Sequence, residues 1–156
     1  MAVKLSHNRI DDWLHVGSNP AEPADILHLA RVLGVTAVVN LQSDEDFAHR
    51  AINWQAFWTV YTQNGIAVER VPILDFVRPD LLQNLERAVE TVHRFRESGA
   101  TVYLHCNAGV NRSPTVAIAY HVLHGGLSIA DAAAFVQGSR SCVPYLDVVE
   151  RWIAQR

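Results

Sequence analysis

The chain has 156 residues, 49% of them hydrophobic, with 16 acidic against 13 basic side chains and a formal charge of -3. That length and apolar content suit one domain with one core, and the acidic balance excludes a nucleic-acid partner, whose phosphates call for a basic face. No polybasic cluster addresses a membrane surface, no apolar run approaches the ~18 residues of a bilayer span, and two cysteines, Cys106 and Cys142, make no disulfide framework. The segment Met1 to Asn8 lacks the apolar core of a signal peptide, so a soluble cytoplasmic protein is expected.

Along the chain, Arg9 to Val16 alternates loosely and reads as one or two short strands, followed by a turn at Gly17-Ser18-Asn19-Pro20. Ala24 to Leu33 carries Ile26, Leu27, Ala30 and Leu33 at helical spacing, closed by Gly34. Thr36 to Leu41 is short, apolar and rich in β-branched residues, as a buried strand is. Asn53 to Asn64 reads as a helix ended by Gly65, and Ile66 to Ile73 as a strand. Leu81, Leu82, Leu85, Ala88, Val89, Val92 and Phe95 trace one stripe of a long helix that stops at Gly99. Thr101 to Leu104 is again a strand. Two or three helices follow, over about Arg112–His124, Ser128–Gln137 and Tyr145–Ala154, punctuated by Gly125-Gly126 and Pro144.

Strands alternating with helices predict a single α/β domain over residues 1–156, with a central, mostly parallel sheet flanked by helices. Ligands of such sheets bind beyond the carboxyl ends of the strands. The strand ending at Leu104 therefore aims His105-Cys106-Asn107-Ala108-Gly109-Val110-Asn111-Arg112-Ser113 at the expected site.

A strand that turns tightly into a helix gathers unpaired N–H groups around one point, and the helix start adds partial positive charge. Gly109 permits a backbone conformation that other residues resist, Asn111 tolerates a left-handed one, and Pro114 suits a first helical turn. Residues Asn107, Ala108, Gly109, Val110, Asn111 and Arg112 are thus expected to form a phosphate-binding nest. Cys106 stands at its mouth, where the dipoles and a nearby cation favour the thiolate, a nucleophile aimed at any anion held there. Arg112 offers a planar fork that binds two phosphate oxygens at once. Ser113 can hydrogen-bond the sulfur, and His105 is expected to be a buried hydrogen-bonding residue that shapes the loop.

The leaving oxygen needs a proton, so a carboxylic acid should lie on a loop nearby. Asp75 and Asp80 both follow the strand ending at Ile73. Asp80 precedes a helix expected to begin at Leu81, with Gln83 three residues on, as in a capping box. Asp75 has no such local use and is expected to be the acid.

On these residues the sequence resembles the dual-specificity phosphatases of the cysteine-based protein tyrosine phosphatase superfamily, from Trp13-Leu14-His15-Val16-Gly17-Ser18 to the helices after the phosphate loop. The resemblance implies the nucleophile, arginine and acid roles, a shallow pocket, and no metal or other cofactor. Within that family the loop Cys106-Asn107-Ala108-Gly109-Val110, the segment Leu41 to Phe47, the pair Asp75-Phe76, and Arg140-Ser141-Cys142-Val143-Pro144 with Asp147 are similar to the glucan phosphatases. Asn111 departs from them, since they usually carry glycine before the arginine. The expected substrate is a phosphorylated glucan or related carbohydrate, contacted by this domain itself; the alternatives are a phosphoprotein carrying phosphotyrosine or phosphoserine/threonine, and a non-catalytic phosphate-binding module. The intact set of Cys106, Arg112 and Asp75 argues against the last. Residues 107–111 contain no lysine or arginine, unlike a loop built for polyanionic phosphoinositides.

Trp54, Phe57, Trp58 and Tyr61 fall at i, i+3, i+4 and i+7, the pattern of a core stripe, with an aromatic platform for a sugar chain as the functional alternative. Trp13 fits either. Eight histidines are scattered, and only His121 and His124 lie close together, so no metal is expected. Cys142 is expected to be structural.

Overall fold

The computed structural model describes residues 4–156. Five strands form one sheet: β1 (His7–Arg9), β2 (Leu14–Gly17), β3 (Ala37–Asn40), β4 (Ala67–Arg70) and β5 (Val102–His105). Their order is β1-β2-β5-β3-β4. The pairs β2–β5, β5–β3 and β3–β4 are parallel, and only β1, on the edge, runs antiparallel to its neighbour. The helices are α1 (Pro23–Arg31), α2 (Asp44–His49), α3 (Trp54–Gln63), α4 (Arg78–Glu97), α5 (Arg112–Leu123), α6 (Ile129–Ser139) and α7 (Leu146–Ala154). Among the described residues no helix is long and apolar enough to cross a membrane.

Period-2 alternation assigns each strand face to its own core. Val16, Leu104 and Val39 point to the larger core, shared with α4, α5, α6 and α7. Val38 and Tyr103 point to the other face, where Ile26 and Leu29 of α1 and Tyr61 of α3 cover them. Strand β5 is central and buried on both faces, and α5 is buried along most of its length, from Arg112 to His121. The site-bearing segment thus joins the two most deeply enclosed elements.

The register places Gly17, His105, Asn40 and Arg70 level with one another. The four parallel strands therefore end together, and the loops that leave them share one rim. This is what brings residues 41–43, 71–77 and 106–111 to the same place.

The structure departs from the sequence-based expectations at α2 and α4. Helix α2 was not expected; it is six residues long and closed at its start by a capping box in which Ser43 accepts from Asp46 N–H and Asp46 accepts from Ser43 N–H. Helix α4 starts at Arg78 rather than Leu81, because Pro79 fits its first turn. Asp80 therefore lies inside the helix and is not its cap: its carboxylate accepts from the backbone N–H of Leu74 at 2.7 Å, tying down the loop that carries Asp75. The aromatic stripe of α3 belongs mainly to the core, with Tyr61 buried and Trp54 and Phe57 packed against it, while Trp58 is left nearly half exposed. Trp13 precedes β2 at the opposite end of the sheet from the rim and packs edge-on against Tyr120.

Candidate active site

Between β5 and α5 the chain folds as a tight loop whose geometry is fixed from several sides. Gly109 has φ +69 and lies against the Gly17 backbone, where a Cβ would come within 2.4 Å of the Gly17 carbonyl carbon. Position 109 thus needs glycine for both conformation and space. Asn111 does not adopt the left-handed geometry expected of it: φ is -121, and its side-chain amide donates to Val143 O at 2.9 Å. Val143 N–H returns a bond to Val110 O at 2.7 Å, so the segment after α6 braces the loop.

Cys106, Arg112 and Asp75 line one cavity of about 380 Å³, together with Asn107, Ala108, Val110 and Asn111 of the loop and with Arg50 and Phe76. The Cys106 sulfur lies 3.3 Å from Ser113 Oγ, and both residues are buried. His105 is fully buried, with Nδ1 2.9 Å from the Cys106 carbonyl, which requires that Nδ1 carry the proton. The structure thus brings Cys106, Arg112, Asp75, Ser113 and His105 together at one end of the sheet. The aromatic residue on the cavity wall is Phe76, not a member of the α3 stripe; Phe76 is 77% exposed and has φ +62, a conformation that non-glycine residues adopt only under constraint.

Arg112 is 1% exposed, and its guanidinium is divided in function. Nη1 donates to Asp46 Oδ2 and to Ile73 O, each at 2.7 Å. Nε and Nη2 have no hydrogen-bond partner. Asp75 Oδ1 stands 3.2 Å from Nε, in ion-pair contact but out of hydrogen-bond alignment. One edge of the fork is thus anchored while the other keeps its donors free, and buried unspent donors of this kind are rare without a ligand to take them.

The anchor is Asp46, which sequence reasoning did not single out. It accepts from Arg112, from Ser43 N–H at 2.9 Å and from Asn107 Nδ2 at 2.8 Å. Burial by itself would raise its pKa, but the hydrogen bonds from Arg112, Ser43 and Asn107 outweigh burial and hold the carboxyl below the usual carboxylate range. Gln42 Nε2 completes the cluster by donating to Asn107 Oδ1 at 2.8 Å. The Asn107 side chain is therefore committed to structure, and only its backbone is available to an anion. Asp46 had one sequence signal: Ser43 three residues before it, ahead of an acidic run. Arg50 had none. It lies at the end of α2, exposed, with Nη1 3.3 Å from Asn19 Oδ1.

Burial holds the His105 imidazole down at about 4, with the Arg112 charge adding to the shift and the bond to Cys106 O opposing it. The unfolded chain, with an ordinary value near 6.5, then binds the extra proton first as pH falls. Stability should be full above pH 6.5 and fall progressively toward pH 4, by about 2–3 kcal/mol from this residue. His7 and His15, also lowered by burial, act in the same direction. Urea unfolding midpoints at pH 7 and pH 4.5 measure the loss, and His105→Asn should flatten it.

A family model described as dual specificity phosphatase, catalytic domain, matches residues 15–150. Phosphoglucan phosphatase DSP4, amyloplastic, of Castanea sativa is 30% identical over 148 residues, which cover 94% of this chain and 39% of that protein. Laforin of Mus musculus is 28% identical over 153 residues, covering 92% of this chain and 46% of that one. The chain thus spans less than half the length of these two relatives. Among solved structures, human DUSP28 superposes with a TM-score of 0.74 at 27% identity, covering 99% of this chain and all of that one. The PTPMT1 structure superposes with a TM-score of 0.77 at 21% identity over 96% of this chain and 95% of that one, a likeness of fold.

Proposed function

The chain belongs to the dual-specificity phosphatase family, a cysteine-based phosphatase by that membership, and from this premise we propose that Cys106 is its nucleophile, Arg112 its phosphate clamp and Asp75 its general acid. The observation that carries the assignment is the divided guanidinium of Arg112, whose free Nε and Nη2 edge shares a cavity with the Cys106 sulfur. A phosphomonoester seated in the loop would meet that edge and the backbone N–H groups of residues 107–112, contacts that strengthen as charge spreads over the equatorial oxygens in transfer.

In the first step the sulfur forms a bond to phosphorus, the bond from phosphorus to the ester oxygen breaks, and Asp75 gives its proton to that oxygen. In the second, the Asp75 carboxylate takes a proton from water, whose oxygen bonds to phosphorus as the sulfur–phosphorus bond breaks. Ser113 Oγ then donates to the departing sulfur. Asp75→Ala should therefore slow hydrolysis of an alkyl phosphate, a poor leaving group, by about 100-fold or more, while costing far less on p-nitrophenyl phosphate. Equal losses on the two substrates would remove Asp75 from the acid role.

For the substrate, the reading we favour is a phosphorylated glucan or related carbohydrate. It is supported by the name of the Castanea sativa relative, a phosphoglucan phosphatase, by the neutral loop between Cys106 and Arg112, and by the exposed Phe76 ring beside the cavity, a face on which a sugar can stack. Phosphate release from amylopectin should exceed release from phosphotyrosine and phosphoserine peptides at matched phosphate concentration. Preference for the peptides would instead make this a protein phosphatase.

A further inference from the structure

Arg140, the residue that ends α6, is 4% exposed and sits behind the phosphate loop. Its Nε donates to Gly109 O at 2.7 Å and its Nη2 to Ala108 O at 3.1 Å. The rest of the fork reaches β1 and the residues before it, with Nη1 donating to Asn8 Oδ1 at 3.0 Å and Nη2 to Ser6 Oγ at 3.2 Å. Every one of these acceptors is neutral, and among the described residues no carboxylate forms an ion pair with Arg140. Arg112, by contrast, is paired with both Asp46 and Asp75. A buried cation without a countercharge is costly, and this one is aimed at two loop carbonyls.

We propose that Arg140 is a positioning residue for phosphate, one that orients and polarises two of the loop's donors and finds its countercharge in the bound anion. The inference rests on the phosphate-loop reading above and extends it to a residue outside the cavity. A trans peptide sets its N–H antiparallel to its C=O, and no peptide bond among the described residues is cis. Pulling Ala108 O and Gly109 O toward Arg140 therefore turns the N–H groups of Gly109 and Val110 the opposite way, toward the side where Ala108 and Val110 line the cavity. A cation bonded to a carbonyl also draws electron density from the attached N–H and strengthens it as a donor. The arrangement needs a guanidinium, because only a planar fork spans two successive carbonyls while holding two further acceptors.

The test compares wild type, Arg140→Met and Arg140→Lys for inhibition by vanadate, for kcat and KM on p-nitrophenyl phosphate, and for melting temperature with and without vanadate. Arg140→Met removes four hydrogen bonds but also a buried charge that lacks a countercharge in the absence of anion, two effects that oppose each other in stability. It should therefore melt within a few degrees of wild type without vanadate, yet bind vanadate on the order of 10- to 100-fold more weakly, with a matching fall in kcat/KM and a smaller vanadate-induced rise in melting temperature. Arg140→Lys, which keeps the charge but cannot bridge both carbonyls, should fall between the two. Should Arg140→Met fail to fold, Arg140→Lys decides alone. Wild-type vanadate affinity in a folded variant, even one with a lowered melting temperature, would mark Arg140 as merely structural and overturn the inference. Wild-type protein indifferent to vanadate would overturn the phosphate-loop reading itself.

Discussion

Cys106→Ser should abolish turnover of p-nitrophenyl phosphate, a loss of at least about 10,000-fold in kcat, while leaving vanadate binding and the fold in place. The serine is nearly isosteric and stays within reach of Ser113 Oγ, now 3.3 Å from the sulfur, so the loop keeps its shape. What disappears is nucleophilicity: a serine hydroxyl is a far weaker nucleophile than a thiolate, and Asp75, the carboxyl on the same cavity, must hold its own proton in this step to act as the acid. A variant that binds the anion but does not turn it over would locate the defect in the chemical step. Loss of binding and turnover together would mean that the residue shapes the loop instead.

Arg112→Lys should cost on the order of a thousandfold in kcat/KM on the same substrate, despite conserving charge. An ammonium can satisfy Asp46 or reach the cavity, but it cannot do both. In the native protein Nη1 is held by Asp46 and Ile73 O while Nε and Nη2 stay free. Lysine is the informative replacement because alanine would leave Asp46 buried without its cation, and breaking a buried pair from one side costs about 3–5 kcal/mol. With lysine the melting temperature should fall modestly while activity collapses. Retention of more than about a tenth of the activity would contradict the bidentate role.

The loop between β5 and α5 was legible as a candidate site because its parts are contiguous: strand, glycine-bearing turn and helix start follow one another, and their local geometry converges on one point. Asp75 was legible at one remove, because parallel strands ending level bring their following loops together. Asp46 and Arg140 were not, although each holds one face of the loop. Their partners lie 66 residues away in sequence for the Asp46–Arg112 bond and 31 for Arg140–Gly109, and nothing local encodes such distances. The short α2 escaped because six residues give too little periodicity to see; its capping box was the readable sign. For Asn111 residue type misled: tolerance of a left-handed backbone is a permission, and the bond to Val143 O decided the conformation instead. Asp80 misled in a similar way, since the cap-like pattern was present but Pro79 allowed the helix to begin earlier.

Everything in the proposed chemistry passes through a covalent bond between sulfur and phosphorus at one residue. Rapid acid quenching of the wild-type protein, milliseconds after mixing with excess labelled p-nitrophenyl phosphate, followed by peptide mass analysis, looks for that bond directly. The account predicts a burst of p-nitrophenol matched by one phosphate per chain, carried on the peptide containing Cys106. Turnover with no labelled protein, or label on any other side chain, would contradict it.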